Sequence, residues 1–144
     1  MLGTKCKISI ALIIVSIITF YATAKDNEAR KGVRFDPIIK NIEGWKIHVD
    51  PALLEGEQAE AGAKALKMLS NHLQRISILV QGKVLEKLKT CEIWIEHSHP
   101  TLHPMQYHPG IDWLKSNGHD TRLHKKVHIA QAKALLSRSQ MLKH

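Results

Sequence analysis

Histidine is the residue type whose abundance and spacing point most directly to chemistry in this sequence. Ten histidines occur among 144 residues, and four of them follow the spacing H-x-H-x3-H-x4-H. Neutral imidazole is a common ligand of zinc, copper and nickel, and an H-x-H pair on an extended chain directs both rings to one side. The segment is therefore a candidate metal-binding loop, although solvated or capping histidines would give the same pattern. The four candidate ligands are His97, His99, His103 and His108.

The sequence contains no complete hydrolase signature, so it predicts no catalytic residue. There is no H-E-x-x-H, the helical spacing that places two imidazoles and a glutamate around a metal ion. There is also no G-x-S-x-G elbow and no phosphate-binding glycine loop. Glu92 and Glu96 lie on one face of a predicted strand. Because neither has a partner at a known distance, they are predicted to form a solvated face rather than an acid–base pair.

The first 24 residues have the three parts of a secretory signal peptide. Lys5 and Lys7 supply the positive region, residues 8–21 are apolar and uncharged, and Ala22 and Ala24 give the small-x-small pattern at a cleavage site. The apolar run is shorter than the roughly 20 residues that a membrane span needs. The sequence therefore predicts cleavage after Ala24, export to the periplasm or the extracellular space, and no stable membrane span after cleavage.

The mature chain is predicted to be basic and to lack disulfides. Cleavage after Ala24 removes two lysines and no acidic residue, so the net charge falls from +8 to +6 with histidine neutral. This excess could favour an anionic surface of the cell envelope, whereas nucleic acid is not an expected partner because the basic residues are scattered and the chain is exported. Only Cys91 remains after cleavage, and its apolar strand pattern predicts a buried thiol.

The elements that would position the histidines indicate one domain after a short arm. Residues 25–43 are polar and poorly patterned and are predicted to form an N-terminal arm, and the domain is predicted to cover residues 44–144. Apolar residues alternate with a period of two in the segments predicted as strands and recur every three or four residues in those predicted as helices. The predicted strands cover residues 44–49, 91–96 and 127–129, and the predicted helices cover 57–80, 84–90 and 130–142.

A long segment separates the last two predicted strands. Residues 97–120 contain three prolines and two glycines and are predicted to form a loop with one helical turn near residues 111–114. The resulting order, β–α–α–β–loop–β–α, predicts an α+β fold with a small mixed sheet, one long amphipathic helix and shorter helices.

Several short motifs follow one another in an order that resembles a known family. They are the helix over residues 65–80, Ile-Trp-Ile-Glu at 93–96, Met-Gln-Tyr-His-Pro-Gly-Ile-Asp-Trp-Leu at 105–114 with Asn-Gly at 117–118, and Val-His-Ile-Ala-Gln-Ala at 127–132. Over residues 44–142 the chain resembles the N-terminal half of exported zinc metallopeptidase-like proteins of planctomycete-type bacteria. The resemblance implies a zincin-like N-terminal portion, a zinc cofactor in the full-length family and a peptide or protein substrate.

The departures from that family bear on activity. In the family, a helix of the form H-E-L-A-H-A follows the last helix, and its histidines bind zinc while its glutamate activates water. The present sequence has no such helix, so the resemblance implies a chain cut short and not catalytically competent alone. His128 stands where an acidic residue is expected, in a strand that the resemblance places at the edge of a substrate cleft. The alternative is an envelope binding module that uses the histidine loop for metal or its basic surface for anionic polymers.

Overall fold

The fold is described over residues 32–103 and 105–141 by a computed structural model. The predicted signal peptide and its cleavage site after Ala24 lie outside the described residues. Among the residues that are described, no helix is both long enough and apolar enough to cross a membrane.

Within the part of the chain that the structure describes, a mixed sheet of five strands organises the fold and confirms the α+β fold class. In the order of the sheet, β1, β2, β3, β5 and β4 lie side by side. Strands β2, β3 and β5 are parallel, and β1 and β4 run antiparallel to their neighbours at the two edges. The strands cover Ile38–Ile42 (β1), Trp45–Val49 (β2), Ile93–Ile95 (β3), Met105–Tyr107 (β4) and Val127–Ile129 (β5). The strand at residues 127–129 is therefore internal, and the edge belongs to β4.

Strand β1 lies in the segment that the sequence assigns to an N-terminal arm, so the sheet begins before residue 44. β1 and β2 form a hairpin in which Ile42 pairs with Trp45 across a two-residue loop. Both loop residues have positive φ, 54° at Glu43 and 88° at Gly44, as a type I′ turn requires. Glu-Gly is not the usual Asn-Gly signal for this turn, which explains why the hairpin is not evident from sequence.

In residues 32–103 and 105–141, four α-helices accompany this sheet. They cover Ala59–Leu79 (α1), Lys83–Lys89 (α2), Ile111–Ser116 (α3) and Lys133–Met141 (α4). α1 confirms the long amphipathic helix, since Ala65, Leu69 and Leu73 are its buried apolar positions. Two elements interrupt the predicted loop at 97–120. α3 matches the predicted helical turn. β4 was not predicted, because an alternation of apolar and polar residues cannot be recognised over only three positions.

The two faces of the sheet differ in chemistry because successive strand residues point to opposite sides. On one face, Ile47, Ile93 and Ile129 pack into the apolar core that α1 and α4 cover. The opposite face carries polar and aromatic side chains at register positions that follow one another across the sheet. From β2 to the edge these are His48, Trp94, His128 and Gln106. We call this side the polar face of the sheet.

Candidate functional site

A chain of hydrogen bonds lies on the polar face and connects two histidines to a carboxylate. His128 on β5 is fully buried, and its Nε2 lies 3.0 Å from Oε1 of Glu96, which follows β3. On the other side of the same ring, Nδ1 of His128 lies 3.2 Å from Nε2 of His108. In the uncharged cluster, Nε2–H of His128 donates to the carboxylate, so Nδ1 accepts the Nε2–H of His108.

Glu96 is held by a second partner from the start of the described chain. Its other carboxylate oxygen accepts a hydrogen bond from Arg34, and a second nitrogen of the same guanidinium donates to the carbonyl of Ser98 at 2.9 Å. Glu96 is only 3% exposed. The expectation that Glu96 lies on a solvated face is therefore wrong, because a buried carboxylate needs such partners and here has two.

His99 joins the same cluster through its ring and through its backbone loop. Its Nδ1 accepts hydrogen bonds from the backbone N–H groups of Thr101 at 3.2 Å and Leu102 at 3.0 Å. Its ring centroid lies 5.6 Å from that of His128 and 5.5 Å from that of His119, both in edge-to-face arrangements. His99 therefore links the loop after β3 to the polar face of the sheet.

Trp113 on α3 forms the outer side of the cluster. Its ring stacks on His108 at a centroid distance of 5.7 Å and lies against His119 at 5.2 Å. Trp113 is 47% exposed, whereas His108 is 3% exposed. The indole thus separates buried imidazoles from solvent. We refer to His99, His108, His119, His128 and Glu96 as the histidine cluster.

Burial lowers the pKa of three imidazoles of this cluster, those of His99, His108 and His119. Desolvation lowers the pKa of His99 to about 4, against a smaller opposing effect of the Glu96 charge. Desolvation and the neighbouring histidines lower the pKa of His108 to about 4. The pKa of His119 is lowered for the same two reasons. Strongly perturbed ionisable groups gathered in one place are typical of functional sites.

Glu92 forms a separate polar group at the other end of β3. Burial raises its pKa, but hydrogen bonds from Lys46, His48 and Lys126 outweigh this effect and lower the pKa to about 2. His48 Nε2 lies 2.6 Å from the carboxylate, and desolvation lowers the pKa of that imidazole. Glu92 and Glu96 thus belong to two networks with different cations, and they do not form an acid–base pair.

The structure brings two of the four predicted metal ligands together and separates the other two. His99 and His108 both contact His128 in the cluster. His97 lines a different pocket with Leu53, and His103 is exposed and bonded to Gln131. No three histidine, cysteine or acidic side chains within residues 32–103 and 105–141 are placed to hold a metal ion. The loop metal site stays a prediction, and we identify none of these residues as a metal ligand.

Four residues of the site were not predicted from sequence as functional residues. The alternation of apolar residues in β5 indicates that His128 points away from the apolar core. The position of Glu96 directly after β3 indicates the same for its side chain. The sequence offers no comparable signal for His119 or Arg34, because their positions depend on how α3 and the residues before β1 fold over the sheet.

Cys91 lies at a groove on the other side of the sheet. The thiol is half-buried rather than fully buried, because Cys91 precedes β3 instead of lying within it. The groove has a volume of about 370 Å³ and is bordered by apolar side chains of α1, of the sheet and of α4. Trp45, Leu69, Ile93, Met105 and Leu135 are among the residues that line it.

No known family model matches this sequence, and it has no match among the curated proteins or the solved structures.

Proposed function

We propose that residues 44–142 are the N-terminal portion of an exported zinc metallopeptidase-like protein, in which the sheet holds an extended peptide along strand β4. The single observation that carries this proposal is the position of β4 as an antiparallel edge strand. An edge strand offers backbone donors and acceptors that an added strand can pair with, and many peptide-binding proteins bind their ligands in this way. The motifs that resemble the family include β4 and the residues after it.

The hydrogen bonds beside β4 indicate which backbone groups face outward. The N–H of His108 donates to the carbonyl of Lys126 at 3.3 Å, and the carbonyl of His108 accepts from Lys125 at 2.8 Å. Inward and outward backbone groups alternate in an antiparallel pair, so the N–H and C=O of Tyr107 face away from β5. The side chains of Met105 and Tyr107 are 37% and 50% exposed, so a peptide could contact them.

The chain alone is proposed not to hydrolyse peptides. Metal-assisted hydrolysis needs a metal that activates water, and the zinc sites of such enzymes use three protein ligands. The described residues do not fit that requirement, because no three ligating side chains converge. The proposed role of this portion is therefore to bind and orient a peptide. Purified protein incubated with unlabelled casein and zinc should yield no fragments, and chelator-sensitive cleavage would contradict the proposal.

Replacement of Tyr107 tests peptide binding at the β4 edge. Tyr107→Pro removes the outward N–H while leaving the β4–β5 ladder intact, since proline is tolerated where the N–H faces solvent. We expect it to weaken binding of fluorescently labelled casein about fivefold, the effect of losing one hydrogen bond of about 1 kcal/mol. Fluorescence anisotropy measures the affinity. Tyr107→Val, which keeps the N–H, is the control for the lost phenol ring; equal affinities of the two variants would remove β4 as the binding edge.

Two further measurements test the ancestry and the export. Sequencing the DNA after codon 144 should reveal an H-E-x-x-H helix encoded within about 20 codons in one of the frames, as the motif's position after the last helix would require. N-terminal sequencing of the secreted protein should begin at Lys25, the residue after the proposed cleavage site. A secreted protein that retains residues 1–24 would contradict the cleavage.

A further inference from the structure

The histidine cluster joins the sheet to the segments that cover its polar face. His128 and Glu96 are held by the sheet, whereas the other three histidines belong to segments outside the strands. His99 lies in residues 97–103, and His108 and His119 lie at the two ends of residues 108–119. We call these two segments, 97–103 and 108–119, the cover.

Nδ1 of His99 and Nδ1 of His128 accept hydrogen bonds when these two rings are uncharged. A proton added to Nδ1 of His99 would face two backbone N–H donors, those of Thr101 and Leu102, which now donate to that nitrogen. A proton added to Nδ1 of His128 would face the Nε2–H of His108 at 3.2 Å. At His99 an acceptor becomes a donor opposite two fixed backbone donors, so protonation breaks bonds instead of adding them. At His128 the bond survives protonation only when the proton of His108 moves from Nε2 to Nδ1.

Within the described residues, the carboxylate of the cluster is already paired with a cation and does not balance the charge of protonated rings. The charged groups that act on the rings are Glu96 and Arg34, and these two already form an ion pair with each other. One protonated ring would leave a net positive charge in a buried site. A second would add repulsion, because His128 lies 5.4 Å from His108 and 5.6 Å from His99 between ring centroids.

We propose that the histidine cluster is an acid-sensitive latch, which holds the cover on the polar face of the sheet at neutral pH and releases it when its rings are protonated. Release uncovers the part of Trp94 that packs on Leu114 of α3, whereas its contacts with Phe35 and Arg122 lie outside the cover. The Trp94 ring is 2% exposed, and its indole N–H has no hydrogen-bond partner among the described residues. The latch depends on residues 34–128 as they are described and does not depend on the proposed peptidase ancestry.

Two other features define how far the release extends. Arg122 pairs with Asp120 at 2.7 Å and with Asp36 at 2.9 Å, and no histidine takes part in these ion pairs. The residues before β1 are therefore held to the turn that precedes β5, in addition to the bond between Arg34 and Glu96. The opposite face of the sheet packs on α1 through apolar contacts and contains no residue of the cluster. Acidification should consequently open the cover while α1 stays protected.

Hydrogen exchange resolved by segment tests the latch. For the purified chain, backbone protection is measured at pH 7.0 and pH 4.5 and corrected for the intrinsic pH dependence of exchange. We expect protection of the cover to fall at least tenfold at pH 4.5, while α1 stays at least tenfold better protected than the cover at that pH. Cover protection that is unchanged at pH 4.5, or equal protection of the cover and α1 there, would overturn the proposal.

Matched variants connect the effect to the rings themselves. His99→Asn keeps an acceptor near the Nδ1 position and His108→Gln keeps a donor near Nε2, so the double variant retains the hydrogen bonds without titrating. In this double variant, protection of the cover should fall less than threefold between pH 7.0 and pH 4.5. His97→Gln, outside the cluster, should behave as the unaltered chain does. If the double variant does not fold, His119→Gln replaces it and should move the midpoint of release to lower pH; an unchanged midpoint would overturn the proposal.

Discussion

Glu96 is the residue on which the charge balance of the histidine cluster depends. The carboxylate is 3% exposed, bonded to His128 at 3.0 Å on one side and to Arg34 on the other. Its position follows from β3, which ends at Ile95 and leaves the next side chain on the same face as Trp94. A single buried carboxylate thus orients an imidazole from a neighbouring strand and attaches the residues before β1 to the sheet.

Glu96→Gln should destabilise the fold by about 1 to 3 kcal/mol, because the amide leaves the Arg34 charge without its partner and weakens the bond to His128. Urea unfolding followed by circular dichroism measures the change. Glu60→Gln, at an exposed helical ion pair with Lys64, is the matched control and should leave the unfolding midpoint unchanged. Equal midpoints for the two variants would show that Glu96 makes no special contribution.

At the scale of elements, α1 is positioned by the short 3₁₀ helix Pro51–Leu53 that precedes it. Asp50 caps this turn by accepting the N–H of Ala52 at 3.0 Å, and its other carboxylate oxygen accepts the N–H of His97 at 3.0 Å. Leu53 then packs beneath α1, and its backbone lies close to that of α1 at Gly62. One aspartate therefore connects the end of β2 to the start of the cover, and one glycine sets the distance of the long helix.

Gly62→Ala should destabilise the protein although alanine is the better helix former. A Cβ atom at this position would lie 1.9 Å from the carbonyl oxygen of Leu53, so either α1 or the 3₁₀ turn must move. We expect a net loss of about 1 to 3 kcal/mol, since the strain of overpacking exceeds the roughly 1 kcal/mol gained in helix propensity. Thermal unfolding measures it. Lys67→Ala, exposed on the same helix, is the control, and a Gly62→Ala protein as stable as that control would contradict the close packing.

At the scale of the whole molecule, the apolar core was predictable and the polar face was not. The recurrence of Leu69 and Leu73 and the alternation of Ile93 and Ile95 indicate buried positions directly, because burial of apolar area dominates folding. The hairpin of β1, the edge strand β4 and the placement of His119 depend on contacts between residues far apart in sequence. The predicted histidine site is limited in the same way, because closeness in sequence does not decide which side chains meet. His97 and His103 are near His99 in sequence but lie outside the cluster, whereas His128 belongs to it although it is twenty residues beyond His108.

The buried histidines also determine how global stability depends on pH. His99 and His108 have a pKa of about 4 in the folded protein and about 6.5 when unfolded. Above pH 6.5 both states are uncharged at these rings. As the pH falls from 6.5 toward 4, the unfolded chain binds protons that the folded chain does not, so the free energy of unfolding decreases. Glu92, whose pKa is lowered to about 2, loses its contribution only below about pH 4.5.

The free energy of unfolding should therefore change little from pH 8 to pH 7. Between pH 6.5 and 4.5 it should fall by about 2 to 5 kcal/mol, since each ring contributes up to 1.36 kcal/mol per pH unit. Urea unfolding at a series of pH values measures this slope. The His99→Asn/His108→Gln protein should have a much shallower slope over the same range because it lacks both titrating rings, whereas His97→Gln should keep the full slope. A double variant with an unaltered slope would mean that other groups cause the acid sensitivity, since the cluster would then contribute nothing to proton uptake on unfolding.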